Sequence, residues 1–170
     1  AASDVYKRQA FQRSSTTGPE PQVLNFDDTS SQLDAAAAAI KAWQKRAEEA
    51  EQSRPVIGVL TRTGRAVDQA VTGLNERGVE ASSSRQTNNA DVRVLTMHNA
   101  KGMEFNDVIL FNVDKKALPL SYVTNGLGEA DREAAIQRER ALLYVASSRA
   151  REELVITTGP EPSELLPCVN

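Results

Sequence analysis

Apolar residues follow two spacings that alternate along the chain. QVLNF at 22–26 has strand length, and Thr29, Ser30 and Ser31 supply cap oxygens for a helix through SQLDAAAAAIKAWQKRAEEAEQ to about Glu51. Within it Leu33, Ala36, Ala37, Ile40, Trp43 and Ala47 share one side at helical spacing, so Trp43 is expected in the core. VIGVL at 56–60 is a continuous apolar run, the signature of a parallel strand covered on both faces. Arg65 to Arg77 reads as a second helix stopped by Gly78, and VEASSS as a weak short strand. VRVLTM at 92–97 and DVILFNV at 107–113 are strong strands, separated from the first half by a polar linker, RQTNNA at 85–90. A poorly patterned stretch from Pro119 to Gly128 precedes a helix over 130–147 and a last strand, ELVITT at 153–158.

Strands alternating with helices predict an α/β fold: a mainly parallel sheet with helices on both faces and right-handed crossovers. Residues 1–20 carry no apolar periodicity and end near Gly18-Pro19, so they read as a tail or cloning remnant before one domain over 21–170.

Composition narrows the function classes. The 170 residues are 40% hydrophobic and 25% charged, which suits one ordinary domain with its own core. A net charge of -3 leaves no global basic footprint, so nucleic-acid contact would need a local surface. The single cysteine, Cys168, excludes an internal disulfide framework, and one histidine without a cysteine partner set gives no metal site. With no apolar run of membrane-span length and no secretory signal pattern, the chain is expected to be cytoplasmic and away from membranes.

Two stretches concentrate chemistry. VRVLTMHNAKGMEFNDVILF places Thr96, His98, Asn99, Lys101, Gly102 and Glu104 after a buried strand, where α/β sheets present ligand groups. RERALLYVASSRAREELVI buries Leu142, Leu143, Val145 and Ala146 on one helix side and brings Arg149 and Arg151 off the helix end, a placement that helix electrostatics alone would favour. Glu104 also reads as a first-turn helix acid, Lys101 as a phosphate contact or half of a salt bridge, and Arg62 and Arg65 as DNA-backbone contacts or a solvated loop.

At these residues the chain resembles the UvrD/Rep/PcrA family of superfamily one DNA helicases. Thr96-Met97-His98-Asn99-Ala100-Lys101-Gly102-Met103-Glu104-Phe105 is similar to the family's motif V, and Glu139-Arg140-Ala141-Leu142-Leu143-Tyr144-Val145-Ala146-Ser147-Ser148-Arg149-Ala150 to its motif VI, with Ser148 in the usual threonine place. VIGVLTRT at 56–63 and Pro162 to Leu166 extend the likeness over roughly residues 22–166. The resemblance implies the second RecA-like motor domain, a P-loop NTPase-type sheet, of an ATP-dependent DNA translocase moving three-prime to five-prime. It makes Arg149 the arginine finger on the γ-phosphate of ATP, with Gly102 and Glu104 also approaching the nucleotide. Thr96 and His98 would face single-stranded DNA through phosphates, and Tyr144 and Arg140 would orient the helix.

The sequence contains no G-x-x-x-x-G-K-S/T phosphate cradle. ATP and Mg would therefore be held mainly by an N-terminal RecA-like partner domain, and the isolated chain is not expected to hydrolyse ATP. The family's second arginine is not transferred, because Arg13-Ser14-Ser15-Thr16 is too close to the first strand; the chain is expected to begin after that motif. Only the short segment Ser82 to Asp91 stands where larger members insert another domain. The competing expectation is a non-catalytic DNA- or protein-binding RecA-like module.

Overall fold

The computed structural model describes residues 20–83 and 91–166; the expected N-terminal tail up to 19, the linker over 85–90 and Cys168 lie outside them. Its strands are β1 (Gln22–Asn25), β2 (Ile57–Thr61), β3 (Ala81–Ser83), β4 (Val92–Thr96), β5 (Phe105–Leu110) and β6 (Ala150–Thr158). The helices are α1 (Thr29–Glu49), α2 (Gly64–Glu76), the single turn α3 (Ser121–Thr124) and α4 (Glu129–Ser147). The strands form one sheet in the order β1-β6-β5-β2-β4-β3, and every pairing is parallel.

Side chains alternate across a strand, so a sheet buried on both faces divides each apolar run between two cores. Ile57, Val59, Val92, Val94, Ile109, Phe111 and Val155 join Ala36, Ile40 and Trp43 of α1 and Val67, Ala70 and Leu74 of α2 on one face. Leu60, Leu95, Val108, Leu110, Leu154 and Ile156 pack with Leu143 and Ala146 of α4 on the other, together with Met97, Ala100, Leu165 and Leu166. The predicted apolar side of α1 is buried throughout, Trp43 included. Gly58 lies where a Cβ would stand 2.7 Å from the Phe105 ring, so this strand position admits no side chain without a shift.

Several element ends differ from the pattern. Asp28, one residue before the expected caps, accepts from the Ser31 backbone N–H at 2.7 Å and is the N-cap of α1. Thr63 does the same for α2 through Ala66. The fifth strand begins at Phe105 and the sixth at Ala150, earlier than expected, because these two residues pair with each other at the amino end of the sheet. The turn α3 lies inside the stretch that had no pattern. Among the described residues no helix is long and apolar enough to cross a membrane.

A carboxylate is buried near that amino end. Asp107 is 1% exposed and accepts from the Glu153 backbone N–H at 3.2 Å. Burial, reinforced by the nearby Glu152 and Glu153 carboxylates, pushes its pKa up from 3.8 to about 6, while Arg46 opposes the rise. Glu153 itself accepts from the indole N–H of Trp43 and from Arg46 at 2.9 Å.

The raised pKa sets the sign of a pH dependence. Below the unfolded value Asp107 is protonated in both states, and its stabilising contribution is lost as pH rises through about 6. Asp107→Asn keeps an acceptor for Glu153 and removes the charge. Urea unfolding is expected to find this variant more stable than wild type by about 2 kcal/mol near neutral pH, with the difference vanishing below about pH 4. A difference independent of pH would contradict the assignment.

Candidate functional site

The two chemistry-bearing stretches meet at the amino end of β5 and β6. Helix α4 runs back across one sheet face and ends at Ser147, which delivers Arg149 to the start of β6. The Arg149 carbonyl accepts from the Phe105 N–H at 2.9 Å, so the backbones of the two stretches are tied directly together. Its guanidinium donates to the Val145 carbonyl at 3.2 Å, the Met103 carbonyl at 3.3 Å and the Ser148 hydroxyl at 3.2 Å. All three acceptors are neutral; no carboxylate neutralises this half-buried cation by ion pairing among the described residues. The side chain is therefore held in place with its positive charge uncompensated by a salt bridge.

Beside it, Glu104 pairs with Arg151 through Nε at 2.9 Å and through a second, shorter contact from Nη2. The hydrogen bond and charge of Arg151 hold the Glu104 carboxyl below its ordinary pKa, and the field of Arg149 adds to the effect. The carboxylate is exposed and lies just before β5, not in a helix. Gly102 is exposed with φ +81, a backbone region that favours glycine, and a Cβ there would meet nothing within 4 Å. The open space at Gly102 and the guanidinium of Arg149 without an ion-pair partner among the described residues suit an anionic group. Among the described residues no three His, Cys, Asp or Glu side chains cluster as a metal site, and no metal is assigned to them.

Thr96 and His98 stand elsewhere. Thr96 is level with Thr61 at the carboxyl end of β4, whereas Phe105 is level with Ala150 at the amino end of the sheet. For strands of 5 and 6 residues at ~3.3 Å per residue, those ends are separated by about 17–20 Å. The expectation that residues 96–104 form one strand-exit cluster is therefore corrected. The connection makes one turn, with Ala100 N–H bonded to the Thr96 carbonyl at 3.2 Å, and then returns across the sheet, burying Met97 and Ala100. Thr96 accepts from the Asn99 N–H at 3.2 Å and lines a depression of about 100 Å³ with Gly64, Asp68, Ser83 and Asn99. His98 is exposed, as is Lys101, which forms no ion pair among the described residues.

Arg62 is neither a DNA-facing nor a solvated arginine. It forms a bidentate pair with Glu139 of α4, at 2.8 and 2.7 Å, with the two side chains only 12% and 6% exposed. The Glu139 bond is the largest influence holding the Arg62 guanidinium charged against the opposing effect of burial. Glu139 carried a signal in the sequence that went unused: Ala135, Glu139, Leu143 and Ala146 make one buried stripe, so an acid there needed a buried cation. Arg151 was likewise visible but its partner was not. Elsewhere on α4, Tyr144 is 46% exposed and Val145 half-buried, so the expected apolar side comes down to Leu143 and Ala146, with the half-buried Leu142 packed against the same core. Arg140 has a buried Nε without a hydrogen-bond partner.

Comparison with known proteins agrees with this architecture. Residues 76–160 match the model of the UvrD-like helicase C-terminal domain, and the chain belongs to that family. It is 32% identical over 79 residues to YjcD of Bacillus subtilis, covering 46% of this chain and 10% of that protein. It is 39% identical over 66 residues to the ATP-dependent DNA helicase PcrA of Staphylococcus aureus strain MRSA252, covering 39% of this chain and 8% of that protein. The chain thus matches about a tenth of the length of these relatives. The C-terminal domain of a possible DNA helicase from Lactobacillus plantarum WCFS1 superposes with a TM-score of 0.66 at 20% identity, covering 99% of this chain and 91% of that one. The last likeness establishes the α/β helicase C-terminal fold that the sequence predicts.

The buried ion pair yields a stability test. Glu139→Gln leaves the Arg62 guanidinium buried against a neutral partner and is expected to cost about 3 kcal/mol in urea unfolding. The double change Arg62→Met/Glu139→Leu removes both charges and is expected to recover most of that loss. A single-variant cost below ~1 kcal/mol would show that the pair is effectively solvated.

Proposed function

We propose that this domain is the C-terminal motor half of an ATP-dependent DNA helicase and completes an ATP site shared with an N-terminal RecA-like domain. The observation that carries the reading is Arg149: it is fixed by three neutral acceptors beside Gly102 and Glu104, with no carboxylate in an ion pair with it among the described residues. A planar guanidinium suits the charge spread over the oxygens of a transferring phosphoryl group. Gly102 allows the nucleotide to approach the backbone, and Glu104 accepts from its ribose after exchanging Arg151 for a hydroxyl donor. The partner domain holds the phosphates and Mg, since this chain lacks the phosphate cradle.

Thr96 and His98 contact phosphates of single-stranded DNA at the other end of the sheet. Residues 97–104 link the two ends, so closure of the partner domain on Arg149 is transmitted toward the strand. The Arg149 carbonyl bond to Phe105 supports this coupling because it joins the two segments without an intervening side chain.

ATPase activity of the chain combined with its first motor domain, with and without single-stranded DNA, tests the reading. Arg149→Ala is expected to lower DNA-stimulated turnover about a hundredfold or more, the scale of losing a charge stabiliser from a phosphoryl-transfer site. Equal turnover by wild type and variant would remove Arg149 from the chemistry. Binding of DNA without any turnover would favour a non-catalytic module.

A further inference from the structure

The carboxyl end of the sheet carries a second polar concavity. Beyond the exits of β5 and β6, a cavity of about 560 Å³ is lined by Lys115, Lys116, Ser121 and Arg132, with Glu161 and Glu164 also in its wall. Lys115 lies 3.6 Å from Glu164. Lys116 and Arg132 form no ion pair among the described residues, so two cations remain unmatched in a cavity open to solvent.

Next to it stands an unusual surface aromatic. Tyr122, in α3, is 75% exposed, the most exposed large hydrophobic side chain among the described residues, while its neighbours Ser121 and Thr124 line the cavity. A large apolar ring left in water is informative where it adjoins free cations. Tyr122 also lies close enough to Arg62, at the exit of β2, for its phenol to influence that guanidinium. Thr61, the residue before Arg62, is level with Thr96, so Arg62 and Thr96 share the carboxyl rim of the sheet from which the cavity also opens.

We propose that Tyr122, Lys116 and Arg132 form a further binding subsite for single-stranded nucleic acid, extending the strand's path along the carboxyl end of the sheet from Thr96 and His98. Cations that track a phosphate backbone, interleaved with an aromatic face on which a base stacks, are the chemistry of sequence-independent single-strand binding. The mixed walls suit one or two phosphates rather than a long anion, because Glu161 and Glu164 repel negative charge beyond them. This inference rests on the proposed DNA-facing role of the β4 exit.

Fluorescence anisotropy of the whole chain with a labelled oligothymidylate of about twenty nucleotides tests it, across a salt series. Lys116→Ala/Arg132→Ala is expected to weaken binding about tenfold and to reduce the slope of log affinity against log salt by about 1.4, the value for two single-strand phosphates. Tyr122→Ala is expected to weaken binding about tenfold with little change in slope, because stacking releases no counterion. Lys45→Ala/Arg54→Ala removes the same charge from α1 and the amino end, and is expected to leave affinity unchanged. Equal losses in both double variants would mean that only net charge matters, and this overturns the subsite. No loss at Lys116, Arg132 and Tyr122 also overturns it. If His98→Ala still weakens binding in that case, the proposed DNA face at β4 survives, and if it does not, that face falls too. Absence of oligothymidylate binding by wild type, or a preference for duplex, rejects the single-strand assignment.

Discussion

Burial of the parallel sheet on both faces is the constraint from which the rest of the domain follows. Each of β2, β4, β5 and β6 commits side chains to two cores, one under α1 and α2 and one under α4. Unpaired polar groups cannot be placed between those layers without a large desolvation cost. Polar side chains are thereby driven to the two ends of the strands, and the described residues form two polar rims. The few charges that do enter the layers are compensated, as Arg62 is by Glu139, or titrate abnormally, as Asp107 does.

The two rims differ in character. Around Arg149 at the amino end, backbone carbonyls and a hydroxyl immobilise a cation, and Glu104 is already engaged by Arg151. Around Thr96 at the carboxyl end, His98 and Asn99 are exposed beside a small depression, and no ion pair engages them among the described residues. The first arrangement suits precise placement of one charge; the second suits a ligand that slides. On the proposed reading those are the demands of phosphoryl transfer and of a moving strand respectively.

Much of this was legible in the sequence, for physical reasons. Strands covered on both faces appear as largely apolar runs, and VIGVL, VRVLTM and DVILFNV announced themselves in that way. The amino ends of β5 and β6 did not, because Glu104, Arg151 and Glu152 are exposed rim residues whose polarity imitates a loop while the backbone already pairs. Asp28 displaced the expected hydroxyl caps because its carboxylate reaches the Ser31 N–H first. Motif likeness singled out candidate site residues, but their arrangement in space was not legible. Positions 96 and 104 are neighbours in sequence, and nothing local reveals that the chain between them recrosses the sheet. Arg62 and Glu139 are 77 positions apart, so only the buried stripe on α4 hinted that an acid there required company.

Helix α4 is clamped at Glu139 and ends at Ser147, about 12 Å along at ~1.5 Å per residue, two positions before Arg149. Mechanically it is a short beam with a fixed root, and Arg149 follows its far end. The root is a bidentate ion pair with little room to pivot, and the span lies on the sheet through Leu143 and Ala146. A beam of that kind resists sideways deflection and passes displacement along its axis.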